Sequence, residues 1–271
     1  MSENNALHVE FILIPTGTMI MGRDPARDHD AQTDEIPAHA LDITDYYMAR
    51  YPVTNAQYRK FVEDSGHRLP LFWKDGVMPA GLEEHPVVGV SLQDAVAFCA
   101  WARGKTGLPV RLPTEAEWEK AARGTDGRLY PWGDQWEKGR CNSREAKLGA
   151  SSPVGQFSPA GDSPYGVAEM GGNVQEWLIS IFGPYPYDPT DGREALVNVE
   201  GEISSFPRIY ETGGTSIVQS MEAALGKATL RGGSYRQEKN ESRCAYRSWA
   251  APLHRSEDTG FRLCYEPIEQ A

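Results

Sequence analysis

The sequence has few cysteines, no long apolar run and no excess of basic residues. Its four cysteines (Cys99, Cys141, Cys244 and Cys264) stand far apart, which argues against a disulfide scaffold and against a cysteine-rich zinc site. The longest apolar stretches fall well short of the roughly 20 residues that a membrane span requires. The N-terminus lacks the basic and apolar regions of a signal peptide, so we expect a soluble, cytoplasmic protein.

The scarcity of basic residues excludes two classes of partner. The chain of 271 residues carries 27 basic and 38 acidic side chains, a formal net charge of -11. Nucleic acid and anionic membrane surfaces both require a basic protein surface, so we expect neither as a partner. The same acidity is compatible with Ca²⁺ binding and with solubility alone.

Glycine, proline and tryptophan are abundant, with 27, 19 and 7 residues. Glycine and proline together form about 17% of the chain, against an average near 12%. They lie in short motifs rather than low-complexity runs, which predicts turns and irregular backbone held by aromatic anchors. A helical bundle or a regular doubly wound sheet is disfavoured. We expect a single domain over 1–271, with a core over about 10–265 and an insertion loop over 195–229.

Three helices are predicted from the residues at their N-termini. Thr54, Ser91 and Thr114 each stand three residues before a polar side chain that can bond back to the cap amide, as in a capping box. The predicted helices cover 54–65, 91–104 and 114–123. The charged run EAEWEK at 115–120 is interpreted as a solvated helix face. Strands are predicted within 9–22, as a pair, and over 39–47.

Several motifs along the chain occur together in one known family. They are IPTGTMIMG at 14–22, YPVTNAQY at 51–58, HPVVGVS at 85–91, RLPTEAEWEKAARG at 111–124, YPWG at 130–133, MGGNVQEW at 170–177, RGGS at 231–234 and GFR at 260–262. In this order they resemble the formylglycine-generating enzyme family, also called the sulfatase-modifying factor family. The resemblance covers about residues 10–265 and implies an irregular α+β domain related to C-type lectins.

The resemblance also implies calcium sites. The first would use two carboxylates and two main-chain carbonyls around a glycine-rich turn, namely Glu169, Glu176, Gly172 and Val174. Hard Ca²⁺ prefers six to eight such oxygen ligands. A second site would begin at Asn142 and Ser143, where no acidic ligand is evident. We expect a structural calcium ion at the first site; the alternative is two solvated carboxylates beside a turn.

Catalysis in the formylglycine-generating enzymes depends on two cysteines after the Gly-Gly-Ser-Tyr motif, which bind copper and oxidise a substrate cysteine with O₂. The matching segment here is RGGSYRQEKNESRCAYR at 231–247. It has a single cysteine, Cys244, which lies near its end. One thiol cannot form a bis-thiolate copper site. The sequence therefore predicts no sulfatase-activating oxidase.

A sister branch, the ergothioneine-type sulfoxide synthases, uses non-haem iron held by histidines that come largely from an additional helical domain. The histidines of this chain are scattered, with no pair at the spacing of helical metal ligands: His8, His29, His39, His67, His85 and His254. Both copper and iron are therefore expected to be absent. A ligand set assembled from distant loops is the alternative.

The segment after RGGS is rich in side chains suited to recognition. Aromatic side chains supply rigid contact area and polar ones supply specificity. The candidate ligand-binding residues are Tyr235, Gln237, Glu238, Asn240, Tyr246, Trp249 and His254. Tyr246 and Trp249 are equally compatible with a role as core anchors. The GPYPYDP motif at 183–189 either borders the face formed by residues 235–258 or forms a tight turn. Four arginines are expected to tie loops together through carbonyls or carboxylates such as Glu176: Arg231, Arg243, Arg247 and Arg262.

Together these features predict a non-catalytic, lectin-like recognition or scaffold domain, stabilised by calcium. It would bind an unknown protein or small molecule through the face formed by residues 235–258. The alternative is an O₂-using oxidoreductase of the same family that depends on iron or copper.

Overall fold

The computed structural model describes residues 7–194 and 226–267. Within these ranges the chain forms three α-helices and nine short strands, joined by turns, loops and a few single-turn 3₁₀ helices. The helices are α1 (Asn55–Ser65), α2 (Leu92–Thr106) and α3 (Glu115–Arg123). The strands are β1 (Phe11–Ile14), β2 (Gly17–Met21), β3 (His39–Ile43), β4 (Tyr46–Ala49), β5 (Gln175–Ile181), β6 (Ala228–Arg231), β7 (Arg247–Ala250), β8 (Thr259–Gly260) and β9 (Cys264–Tyr265).

The strands form three small sheets. Their orders are β1-β4-β9, β2-β3 and β7-β6-β5-β8, and the β5-β8 pair is parallel while the other pairs are antiparallel. Because β7 is at the edge of the largest sheet, one side of it is free of strand partners within the described ranges. The mixture of few helices, short strands and irregular backbone confirms the predicted α+β fold class.

Each α-helix begins at the capping box expected from the sequence. In α1 the Thr54 hydroxyl accepts a hydrogen bond from the Gln57 amide at 3.3 Å, and the Gln57 side chain accepts one from the Thr54 amide at 2.9 Å. The same reciprocal bonds begin α2 and α3. Gly66 and Gly107 follow α1 and α2 in the left-handed conformation, where glycine is free of Cβ strain. The capping boxes therefore predicted correctly where each helix begins.

Two predicted segments differ from the structure. The single strand expected over 39–47 is wrong, because Thr44 and Asp45 separate β3 from β4 and the two strands join different sheets. Most of the predicted insertion, 195–225, lies outside the described residues. Its predicted end is wrong, because Ala228 and Thr229 already belong to β6. The single-domain organisation stays a prediction. Over the described ranges, none of the helices has the length and apolarity to cross a membrane.

The solvated face expected for α3 is wrong, since all nine of its residues are buried. Glu115 forms a paired ion bridge with Arg247, with N–O distances of 2.6 and 2.9 Å. Glu119 binds both Arg231 and Arg123, the latter at 2.5 Å. Burying a carboxylate is costly unless it is paired and hydrogen-bonded, so these arginines allow an acidic helix to occupy the interior. The predicted loop-tying role of the arginines is confirmed.

Candidate functional site

The predicted recognition segment, residues 235–258, is held to the rest of the fold and to itself by hydrogen bonds. The Arg144 amide donates to the Gln237 carbonyl at 2.8 Å, and the Arg144 guanidinium binds Glu238 at 2.8 Å. Near the two ends of the segment, the Tyr235 hydroxyl donates to the Glu257 carbonyl at 3.4 Å. Trp249 lies in β7. The candidate ligand residues stay a prediction: Tyr235, Gln237, Glu238, Asn240, Tyr246, Trp249 and His254.

Glu176, the second carboxylate of the first predicted calcium site, is paired with an arginine. Both oxygens of Glu176 bind the Arg262 guanidinium at 2.6 Å, and the Trp118 indole donates to the same carboxylate at 2.9 Å. Glu176 is fully buried. Its role as a calcium ligand stays a prediction.

Glu169 lies at the other end of the glycine-rich turn. One of its oxygens accepts from the Gly155 amide at 3.0 Å, and the other is buried without a hydrogen-bond partner. Burial raises the pKa of Glu169 to about 7. Gly172 is required here by close approach, because a Cβ on it would lie 2.7 Å from the Asn142 carbonyl oxygen. Val174 is buried in the core.

Asn142 and Ser143, predicted to begin a second calcium site, are both buried and take part in loop contacts. The Asn142 amide donates to the Ala150 carbonyl at 2.9 Å, and the Ser143 hydroxyl donates to Glu145 at 2.7 Å. In the part of the chain that the structure describes, no group of three histidine, cysteine or acidic side chains is placed to hold a metal ion. The predicted sites also use main-chain carbonyls, so the calcium sites stay a prediction.

The four cysteines do not fit a copper centre. All four are buried and unpaired. Burial raises the pKa of Cys99 and of Cys244 to about 12 and that of Cys141 to about 11, so these thiols are protonated at neutral pH. Cys264 lies against Arg111, which donates to its sulfur at 3.0 Å. A bis-thiolate site needs two neighbouring thiolates, and this arrangement supplies none.

The histidines do not fit an iron centre either. His39 accepts from the Tyr187 amide at 2.9 Å, His67 binds Asp94 at 2.8 Å, and His85 contacts Ser151. The remaining three are exposed and come from separate segments: His8, His29 and His254. Every histidine and cysteine of the chain lies within the described residues. These side chains therefore do not build a metal site by themselves.

A cavity of about 430 Å³ lies beside β7. The turn around residue 34 forms one wall and the segment after β5 forms the other. Its lining consists of Thr33, Asp34, Ile36, Phe182, Gly183, Pro184, Tyr185 and Lys227. The Arg247 guanidinium lies over the rings of Phe182 and Tyr185, 4.4 and 3.9 Å from their centroids. Residues 183–185 of the GPYPYDP motif line this cavity. Whether the motif borders the face formed by 235–258 stays a prediction.

Trp249 lies against Lys227, one of the residues that line this cavity. The Lys227 ammonium is 3.8 Å from the centroid of the Trp249 ring, and Trp249 is 47% exposed. Trp249 is therefore not a core anchor. Burial raises the pKa of Tyr246 to about 12, with further contributions from Glu241, Glu35 and Asp34, so the phenol faces an acidic environment.

Asp34 and Lys227 were missed by sequence reasoning. They are about 190 positions apart, and neither belongs to a motif that suggests chemistry.

A second cavity, of about 330 Å³, lies between the N-terminal segment and α1. One of its charged groups, Glu10, is paired with Arg50 at 3.1 Å. The cavity beside β7 is the better candidate site because its lining combines aromatic side chains with a carboxylate oxygen, Oδ1 of Asp34, that accepts no hydrogen bond.

Comparison with known proteins places the chain in a family. The sulfatase-modifying factor enzyme 1-like domain matches residues 1–267. The chain belongs to this family. The family predicted from the sequence is therefore confirmed.

Relatives of the chain include two kinds of enzyme. It is 30% identical over 285 residues to hercynine oxygenase of Mycolicibacterium smegmatis, covering 94% of this chain and 61% of that protein. It is 28% identical over 320 residues to formylglycine-generating enzyme of Mus musculus, covering 97% of this chain and 76% of that protein. The structure of PvdO from Pseudomonas aeruginosa matches with a TM-score of 0.70 at 23% identity, covering 98% and 97% of the two chains, which shows a shared fold. The chain thus spans about three fifths of the hercynine oxygenase it matches.

These relatives correct two predictions. The main interpretation, a non-catalytic recognition or scaffold domain, is wrong, because the chain matches hercynine oxygenases over nearly all of its length. The exclusion of copper and iron is also wrong. The relatives belong to the two branches that the family resemblance connects with those metals. The missing cysteine pair argues against the copper branch only, and the scattered histidines do not exclude an iron centre whose ligands come from another domain.

Proposed function

We propose that the chain is the formylglycine-generating-enzyme-type domain of an O₂-using, metal-dependent oxidoreductase. The observation that carries the proposal is the 30% identity to hercynine oxygenase over 94% of the chain. A small molecule bound in the cavity beside β7 is the partner that fits this activity. The acidic surface of the chain makes nucleic acid an unsuitable one.

The cysteines favour the iron-using branch over the copper-using branch. Copper in the formylglycine-generating enzymes is held by two cysteines after the Gly-Gly-Ser-Tyr motif, and here that position has none. Cys244, the nearest cysteine, is completely buried and its pKa is raised to about 12. An iron centre with nitrogen or oxygen ligands does not depend on these thiols.

The described residues do not supply a complete set of metal ligands from histidine, cysteine and acidic side chains. The histidines and cysteines of the chain do not converge, so the proposal requires donors from another polypeptide segment or domain. When bound, the metal would activate O₂. The role of this chain is then to bind and orient the organic substrate in the cavity beside β7. Arg247 holds the aromatic wall of that cavity in place through its contacts with Phe182 and Tyr185.

For a sulfoxide synthase, the reaction balances with O₂ as the only oxidant. A substrate C–H and a thiol S–H are replaced by one C–S bond and one S=O bond, and the second oxygen atom leaves as water. One O₂ is consumed for each product molecule. This ratio can be measured, which makes oxygen uptake a direct test.

The test uses the full-length protein purified from its own host cells without chelator, together with whatever remains bound to it. Metal content is measured first. Oxygen uptake is then followed with hercynine, the trimethylammonium betaine of histidine, and cysteine as the thiol. We expect iron, and O₂ consumption that requires both substrates. Absence of both bound iron and substrate-dependent O₂ uptake would contradict the proposal.

A peptide containing Cys-x-Pro-x-Arg serves as the comparison substrate. It is the substrate of the copper-using branch, so we expect no aldehyde product from it. Aldehyde formation together with bound copper would assign the chain to the copper-using branch and contradict the proposal of iron.

A further inference from the structure

We infer that the loop formed by residues 69–78 is the contact through which two copies of this chain form a weak, two-fold symmetric dimer. The inference goes beyond the proposed function and does not depend on it. It is carried by the exposed apolar side chains of the loop, by the packing that holds them in place, and by two neighbouring charges of opposite sign.

Exposed apolar side chains are concentrated in the 69–78 loop. Among the described residues, seven large hydrophobic side chains are exposed, and three of them are Leu71, Phe72 and Val77, at 55%, 39% and 65%. The other four come from separate segments: Leu13, Ile20, Leu148 and Trp249. Apolar residues scattered singly over a surface are normal, whereas a group of them marks an interaction site.

The loop is held rigidly beneath these side chains. Trp73 is buried, and its indole donates a hydrogen bond to the Asn55 side chain at 3.1 Å. The Leu71 amide donates to the Gly89 carbonyl at 2.9 Å. A Cβ on Gly89 would lie 2.7 Å from the ring of Phe72, so glycine is required for this close approach. A surface that is already ordered loses less conformational entropy when it binds.

Two opposite charges lie between the apolar residues of the loop. Lys74 and Asp75 are adjacent and exposed, and neither forms an ion pair with another described residue. The Val77 amide donates to the Lys74 carbonyl at 3.0 Å, which closes the turn that carries them. The preceding cation, Arg68, is already bound to Asp94 at 2.6 Å. The unpaired charges of the loop therefore cancel.

This balance of charge favours a second copy of the chain as the partner. Each copy has a net charge of -11, so two copies repel one another unless they meet where acidic residues are not in excess. In a two-fold contact the same residues face each other twice, which places Lys74 of each copy opposite Asp75 of the other. Like charges would oppose each other in most other arrangements of the same loop.

The size of the loop predicts a weak association. Specific interfaces that are smaller than the standard size are usually transient. A single loop supplies a contact of this smaller kind. We therefore expect a reversible dimer with a dissociation constant in the micromolar range.

Sedimentation velocity of the full-length protein tests the inference. We expect a reversible change from monomer to dimer as the protein concentration rises from about 1 to about 200 µM. Leu71→Asp introduces a charge into the contact, and we expect it to raise the dissociation constant at least about tenfold. The matched control is Leu148→Asp, because Leu148 is similarly exposed, at 48%, but lies outside the loop. A monomer at every concentration overturns the inference, and so does a dimer that both variants affect equally.

Charge reversal tests the two-fold pairing. Lys74→Asp and Asp75→Lys each place like charges opposite one another, so we expect either variant alone to dimerise more weakly than the wild type. An equimolar mixture of the two variants should form a heterodimer, because the two acidic side chains of one copy then face the two basic side chains of the other. If the mixture stays monomeric while both variants keep the melting temperature of the wild type, the pairing is wrong.

Discussion

Helix α3 and the cavity beside β7 both withdraw charged side chains from water, but in different ways. On α3 each of the three carboxylates has an arginine partner. Glu115 binds Arg247, Glu117 binds Arg111, and Glu119 binds Arg231 and Arg123. In the cavity, Asp34 keeps a buried oxygen without any partner. A charge that the fold has already paired holds the structure together. A charge left unpaired is available to a ligand.

The largest expected effect comes from breaking a complete pair. Arg262→Met removes the partner of the fully buried Glu176 and leaves its charge uncompensated. We expect the free energy of unfolding to fall by about 3–5 kcal/mol, measured by urea denaturation. Arg59→Met, which disrupts the exposed Arg59–Glu63 pair, serves as the control and is expected to cost less than about 0.5 kcal/mol.

The same measurement tests the predicted calcium site at Glu176. If the ion pair of Glu176 is its structural role, adding a calcium chelator to the wild type leaves the melting temperature unchanged. A large drop on chelation, or a stability loss from Arg262→Met no greater than that of the control, would contradict the pairing described here.

A smaller effect is expected at Asp94, which joins the start of α2 to the 67–68 segment. Burial opposes its ionisation, but hydrogen bonds from His67 and Arg68 outweigh burial and hold the pKa of Asp94 well below its usual range. Its stabilisation is therefore complete above the unfolded-state pKa of about 3.9 and is lost as pH falls below that value.

Asp94→Asn checks this pH dependence. At pH 7 we expect the variant to lose on the order of 2 kcal/mol of unfolding free energy. Below about pH 4 the difference from the wild type shrinks, because the wild type loses the same contribution as Asp94 is protonated. A difference that stays constant between pH 7 and pH 3 would show that the charge of Asp94 is not responsible.

The smallest effect on stability is expected in the cavity. Asp34→Asn removes a charge that has no ion-pair partner among the described residues, so its unfolding free energy should stay within about 0.5 kcal/mol of the wild type. Thermal and urea denaturation measure this directly. A loss of unfolding free energy comparable to that of Arg262→Met would show that Asp34 is a structural residue. The cavity and α3 would then not differ in the role of their buried charges.

The sequence predicted those parts of the fold that depend on neighbouring residues. Capping boxes are local, so Thr54, Ser91 and Thr114 located the helices correctly. The burial of α3 depends on arginines more than 100 positions away and could not be read from its charged sequence. The break between β3 and β4 depends on which sheet each strand joins, which is also a long-range property.

The candidate site was predictable only in part, for the same reason. Trp249 and Tyr246 were found because aromatic residues in a loop stand out. Asp34 and Lys227 come from ordinary segments, and only the fold brings them to one cavity. The predicted function was wrong because absent ligands in this chain, the cysteine pair for copper and clustered histidines for iron, do not exclude catalysis by a protein whose metal ligands lie elsewhere. The ligand residues Tyr235, Gln237, Glu238, Asn240 and His254 stay predictions.

The burial of all four thiols has a practical consequence for enzymology. With Cys99 and Cys244 protonated at neutral pH, the folded protein has little nucleophilic sulfur to offer alkylating or oxidising reagents. Thiol-specific dyes added to a working assay should therefore report the added cysteine alone. The consumption of cysteine can then be followed continuously, because the thiols of the protein contribute little to the dye signal.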